Sequence, residues 1–108
     1  MTVFIVDTFV VKPEKQREFM QLNQRFLKYK KENPERLKEM TSWKLFVQTF
    51  GGISDAYFIS MEEFDNMEDV GKHMTRVSKD EELIKILQEL MLLVDPATFS
   101  RNVWNVVM

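Results

Sequence analysis

Asp7 is the residue in this sequence best placed to do chemistry. It interrupts the run Thr2 to Val11, whose β-branched and aromatic residues read as a strand. A carboxylate buried there without a partner is costly. Asp7 is therefore either a base or ligand anchor facing a cavity, or a structural group held by a partner such as Arg101 or a backbone donor, or one that faces a cavity holding only water. His73 is the only histidine. It lies three residues after Val70 and four before Val77, at the edge of a helical apolar stripe. A partly exposed packing histidine is the plainer expectation there; a proton-transfer role beside Asp7 is the sharper one. Tyr57, on a strand, completes the candidate catalytic set of Asp7, His73 and Tyr57.

Trp43, Gln48, Arg101 and Trp104 are the candidate ligand-binding residues. The two indoles offer walls for a flat molecule, and the two polar groups could orient it. Each has an ordinary alternative: core or interface for the indoles, solvent-facing strand positions for Gln48 and Arg101. No metal site is expected, because His73 has only Asp69 at ligand-like spacing. There is no P-loop, no dinucleotide glycine motif and no nucleophile elbow. No cofactor is called for by any of these residues.

The bulk composition narrows the classes further. A chain of 108 residues has room for one domain, spanning residues 1–108. Its hydrophobic share of 44% is that of a globular protein. The formal net charge is -2, from 15 basic and 17 acidic residues, which argues against nucleic acid as a partner. With no cysteine, disulfides, thiolate metal sites and thiol nucleophiles are excluded. No apolar stretch approaches the roughly 20 residues that cross a bilayer, so no membrane partner is expected. Met1 leads straight into strand-like residues, so no secretory leader is expected and a cytoplasmic location is.

The elements that must position the candidates follow from periodicity. On the first strand Val3, Ile5, Phe9 and Val11 share one face with Asp7, while Phe4, Val6 and Val10 share the other. Lys12-Pro13-Glu14 opens a helix whose stripe is Phe19, Leu22, Phe26 and Tyr29, and Asn33-Pro34 stops it. A short extra turn is expected over 35–40. Thr41 to Phe50 and Ala56 to Phe64 form a hairpin about Gly51-Gly52. Asp65-Asn66-Met67-Glu68 and Ser78-Lys79-Asp80-Glu81 each carry a helix-start pattern, which predicts two consecutive helices with a bend near Ser78. Asp95-Pro96 ends them, and Phe99 to Val107 is the last strand.

This β-α-β-β-α-β order, with right-handed crossovers, places the helices on one face of an antiparallel sheet. The other face is left bare although the strands are apolar on both sides. Burying a large apolar side chain is worth about 1.5–3 kcal/mol. The order therefore predicts a homodimer with sheet packed on sheet.

The layout resembles the dimeric α+β barrel superfamily, of ferredoxin-like α+β fold, and within it the NIPSNAP-like and antibiotic-biosynthesis-monooxygenase-like proteins. The NIPSNAP-like pattern Y-E-L-R-x-Y followed by P-G-K-x-x-E-F corresponds here to Phe4-Ile5-Val6-Asp7-Thr8-Phe9 and Pro13-Glu14-Lys15-Gln16-Arg17-Glu18-Phe19. Asp7 stands where that pattern has Arg, Glu14 where it has Gly, and Glu62 where a Trp is usual. Gly51-Gly52 and Phe64-Asp65-Asn66-Met67-Glu68 match its glycine turn and strand-to-helix junction. The resemblance implies a small homodimer that binds an apolar or aromatic ligand in its barrel cavity, with no defined reaction. The alternative it implies is a cofactor-independent monooxygenase-like enzyme with Asp7 as base, aided by Tyr57 or His73. In haem-binding branches a helix histidine ligates iron, and His73 would be the sole candidate. Whether the protein is an enzyme stays open at this point.

Overall fold

The computed structural model describes residues 1–51 and 56–108. Gly52, the second half of the expected glycine turn, lies outside the described residues. Four strands form one antiparallel sheet: β1 (Val3–Val10), β2 (Met40–Val47), β3 (Tyr57–Phe64) and β4 (Ser100–Asn105). Their order across the sheet is β2-β3-β1-β4, which puts the first strand in the interior beside both β3 and β4. Three helices cover one face: α1 (Gln16–Glu32), α2 (Met67–Ser78) and α3 (Glu81–Leu93). Single 3-10 turns at Pro13–Lys15 and Pro34–Leu37 begin with the prolines expected to start and stop α1. Among the described residues no helix is long and apolar enough to cross a membrane.

Parity along β1 decides the layers. Val3, Ile5, Asp7 and Phe9 are buried against the helices, while Phe4, Val6, Thr8 and Val10 alternate with them on the outer face. Cross-strand register carries that parity through the sheet. Phe58, Ser60, Glu62 and Phe64 of β3 face the helices, as do Trp43 and Leu45 of β2. The core divides into two apolar clusters. One gathers Val3, Ile5, Leu22, Phe64, Val70 and Ile86. The other gathers Phe9, Val11, Phe19, Phe58 and Val94, with the Phe19 and Phe58 rings 4.6 Å apart. An isolated Val11–Val94 bridge closes the second cluster.

The predicted break between α2 and α3 is present, because each helix has its own N-cap. The Asn66 side chain accepts from the Asp69 backbone N–H at 2.8 Å, and Asp80 accepts from that of Leu83 at 3.1 Å. Asp80 is buried, and its other oxygen accepts from the Tyr29 hydroxyl of α1. Burial first, and then the bond to Asp80, push the Tyr29 phenol up to about 12. A second clamp joins α2 to the entry of β2. Arg76 donates through Nε and Nη2 to the two carboxylate oxygens of buried Glu39, at 2.8 and 3.0 Å.

The Tyr29 shift fixes an alkaline dependence. In the unfolded chain the phenol ionises near its ordinary 10.0, while in the fold it keeps its proton to about 12. The native state then holds the extra proton, so its contribution to stability is complete below the lower value and is lost as pH rises through the upper one. Tyr29→Phe is expected to flatten that alkaline fall. Urea midpoints measured across the window check it; an unchanged slope counts against the Tyr29–Asp80 contact.

Candidate functional site

Two rows of side chains run across the helix-facing side of the sheet. In register, the first is Leu45, Ser60, Asp7 and Arg101, and the second is Trp43, Glu62, Ile5 and Val103. Polar groups therefore sit between the two apolar clusters rather than inside either. The Arg101 guanidinium donates from Nε to Asp7 Oδ1 and from Nη2 to Asp7 Oδ2, both at 2.8 Å. This two-pronged geometry is the strong form of a guanidinium–carboxylate pair. The bond to Asp7, and more weakly the charge of Glu62, hold the guanidinium above its ordinary pKa against the opposing effect of burial. Trp43 Nε1 donates to Ser60 Oγ at 2.9 Å, which satisfies the indole and orients its ring. The Trp43 and Phe26 rings meet edge-on at 5.1 Å.

Two adjoining cavities open along this polar band. The larger, about 110 Å³, lies under α2 and α3 between Ile5, Leu37, Met74, Val77 and Leu83, with Glu62, His73 and Arg101 at its polar side. The smaller, about 90 Å³, lies under α1 and α3 beside Phe9, Phe19, Trp43 and Leu90, and is reached by Asp7, Asn23, Ser60 and Arg101. Phe26, Glu62, Ile86, Leu87 and Arg101 line both, so these residues form the wall and floor between two lobes. Mostly apolar walls with a few convergent polar groups are the usual make-up of a small-molecule site.

The structure sorts the predicted residues. Asp7, Trp43, His73 and Arg101 come together on this band. Asp7 has the partner that the sequence suggested and also reaches a cavity. Tyr57 does not join it. Its cross-strand partner is Val10, so both lie on the outer face, and Tyr57 cannot share the cavity with Asp7 in one chain. Trp104 pairs with Phe4 on that same outer face and is 59% exposed. Gln48 follows the end of β2, where its amide crowds Gly51; a Cβ there would lie 2.6 Å from Gln48 Nε2. His73 departs from expectation in another way. It is 5% exposed rather than at a helix edge, because α2 turns that position onto β3, against the Phe64 ring at 4.9 Å. The cavity itself lies between sheet and helices of one chain, not between two facing sheets, because Asp7 shares the parity of Val3, Ile5 and Phe9.

Glu62 is the site residue that the sequence reading missed. Its Oε2 lies 3.3 Å from His73 Nε2. The available signal was parity, since Glu62 alternates in phase with Phe58 and Phe64 and shares whichever face they take. Among the described residues there is no group of three His, Cys, Asp or Glu arranged to hold a metal ion.

Arg101→Leu is expected to leave the Asp7 carboxylate buried and unpaired, and to cost about 2 kcal/mol of stability. Replacing both residues by apolar side chains should restore much of that loss. Denaturant unfolding of the single and double variants checks the coupling; additive losses would show that the pair does not act as a unit.

No family model matches this sequence, and no curated protein matches it. Solved structures do. A conserved protein from Methanosarcina mazei Go1 superposes with a TM-score of 0.73 at 17% identity, covering 97% of this chain and 92% of the other. A NIPSNAP family protein from Agrobacterium tumefaciens gives 0.70 at 12% identity over 98% and 86% of the two chains. SnoaB, a cofactor-independent oxygenase from Streptomyces nogalater, gives 0.70 at 12% identity over 99% and 94%. The strand order, the helices on one face and these full-length superpositions together give the chain the ferredoxin-like α+β fold of NIPSNAP and antibiotic-biosynthesis-monooxygenase-like proteins.

Proposed function

We propose that the protein is a small homodimeric ligand-binding module that holds a compact apolar or aromatic molecule in the two-lobed cavity beneath its helices. The observation that carries this reading is the polar band Asp7–Arg101–Glu62–His73 set against otherwise apolar walls. Such a band orients a ligand, and the walls supply the affinity. A cytoplasmic setting fits the absence of cysteine. A second reading, a cofactor-independent monooxygenase-like enzyme with Asp7 as base, is favoured by the cavity reaching Asp7 and by the fold shared with an oxygenase of that kind. Against it, both Asp7 oxygens already accept from Arg101, and Tyr57 is on the wrong face to assist.

The homodimer half of the proposal rests on the outer face. Phe4, Val6, Ile59 and Met61 line its centre by register, with Phe46 and Trp104 on its two edge strands, and among the described residues no helix covers them. Phe46 is 46% exposed in the single chain. A second copy placed sheet to sheet removes this surface from water under two-fold symmetry. It also brings Tyr57 and Trp104 into an interface rather than an active site.

Two experiments test the two halves. In a Trp104→Phe background, bromobenzene should quench Trp43 fluorescence saturably, and Leu87→Phe, which narrows both lobes, should weaken that binding about ten-fold without lowering the unfolding midpoint. Quenching that never saturates, or that ignores Leu87→Phe, counts against the cavity as the site. Phe46→Glu with Trp104→Glu should convert a dimer to monomers in sedimentation equilibrium, whereas a wild-type chain that already sediments as a monomer overturns the assembly.

A further inference from the structure

Glu62 is the charge on the polar band that the fold leaves without a cation. Asp7 is answered in full, because both of its oxygens accept from the Arg101 guanidinium at 2.8 Å. Among the described residues no lysine or arginine forms an ion pair with Glu62; what it meets is His73 Nε2, 3.3 Å from its Oε2. An ionised carboxylate offers about four acceptor sites, so one imidazole leaves most of that capacity unused. The Glu62 side chain is also accessible, being 18% exposed. Strand β3 is flanked by β2 and β1, and Glu62 pairs with buried Ile5 on the inward parity. What it exposes therefore opens into the space beneath the helices, where Glu62 lines both lobes of the cavity.

The surroundings of that carboxylate suit a positive charge. Trp43 is its cross-strand neighbour, and the Phe26 ring meets the indole edge-on at 5.1 Å. Both rings are partly buried and both line the smaller lobe. Aromatic rings attract organic cations, so these walls and the carboxylate favour the same ligand. The band sets two carboxylates, Asp7 and Glu62, against the one guanidinium of Arg101, and Arg101 is turned onto Asp7 by two of its nitrogens. A neutral ligand leaves the charge of Glu62 unanswered, and an anion is repelled by it.

We propose that the cavity selects a compact organic cation, an ammonium group on an apolar body, with Glu62 as its counter-ion and Phe26 and Trp43 as its aromatic walls. This deepens the ligand-binding reading above and depends on it.

The test uses the full chain and a size-matched pair of probes, cyclohexylamine and cyclohexanol. An alkylamine ionises near the lysine value of about 10.4, so at neutral pH the first probe is a cation and the second is not. A charged hydrogen bond in place of a neutral one corresponds to about a ten-fold preference for the amine, read by calorimetric titration. In a Trp104→Phe background the Trp43 indole N–H resonance should shift as the amine saturates, which places the cation in the cavity rather than on the acidic surface. Glu62→Gln should erase the preference while leaving cyclohexanol affinity and the unfolding midpoint unchanged. Equal binding of the two probes by the wild-type chain overturns the proposal, whatever the variant does. So does a preference that survives Glu62→Gln, an indole resonance that the amine leaves in place, or a variant that weakens both probes alike. In each of those cases saturable cyclohexanol binding still upholds the cavity as a site. If neither probe binds, the cavity reading falls and this inference falls with it.

Discussion

The ion pair between Asp7 and Arg101 is the constraint around which the rest of this molecule is arranged. It sits on the helix-facing side of neighbouring interior and edge strands, in a row where every flanking position on β1 is Ile or Phe. Charges cannot be dispersed into an apolar core, so the side chains around them segregate. Val3, Ile5 and Phe64 gather toward one end of the sheet, and Phe9, Phe19 and Phe58 toward the other. The cavities open along the seam between the two gatherings. Asp7 is buried while the Arg101 side chain is 37% exposed, and such a pair seldom stabilises a fold more than an apolar pair of equal volume would. Its presence is therefore better understood as holding the seam open and polar on one side than as cement.

The same parity that turns Asp7 inward turns Phe4, Val6 and Val10 outward. The architecture offers three helices on one side and, among the described residues, nothing on the other. A single chain thus has two distinct unmet demands. One is the uncovered apolar sheet face, which an extended partner surface would satisfy. The other is the seam, which is small, deep and lined by a few fixed polar groups, and so suits a compact molecule. The two lie on opposite sides of the sheet.

Much of this was legible in the sequence, and the rest was hidden for definite physical reasons. The element order followed from punctuation: Pro13 and Pro34 around α1, Asn66 and Asp80 as separate helix caps, Asp95-Pro96 before β4. That Asp7 needs some compensation was legible, because an interior carboxylate is costly alone; that Arg101 supplies it, rather than a backbone donor or water, was only one of the open alternatives. Which strand face receives the helices was not legible, since both faces of β1 are apolar; only packing chooses. Cross-strand register, equally hidden, set Tyr57 and Trp104 on the face opposite Asp7 and Glu62 on the same one. Glu62 was hard to see because one more glutamate in a charged chain is unremarkable until register sets it beside Trp43 and Ile5. His73 falls at the edge of the apolar stripe of α2, and only the sheet packed against that helix buries it.

The claim on which this account turns is that an apolar, enterable space lies between the helices and the polar row of the sheet. Diffraction from crystals pressurised with xenon tests it directly, because xenon enters dry apolar cavities and avoids polar, water-filled ones. The account predicts xenon density beside Phe26, Ile86 and Leu87. A seam closed by side chains, or filled with ordered water and no xenon, would contradict it.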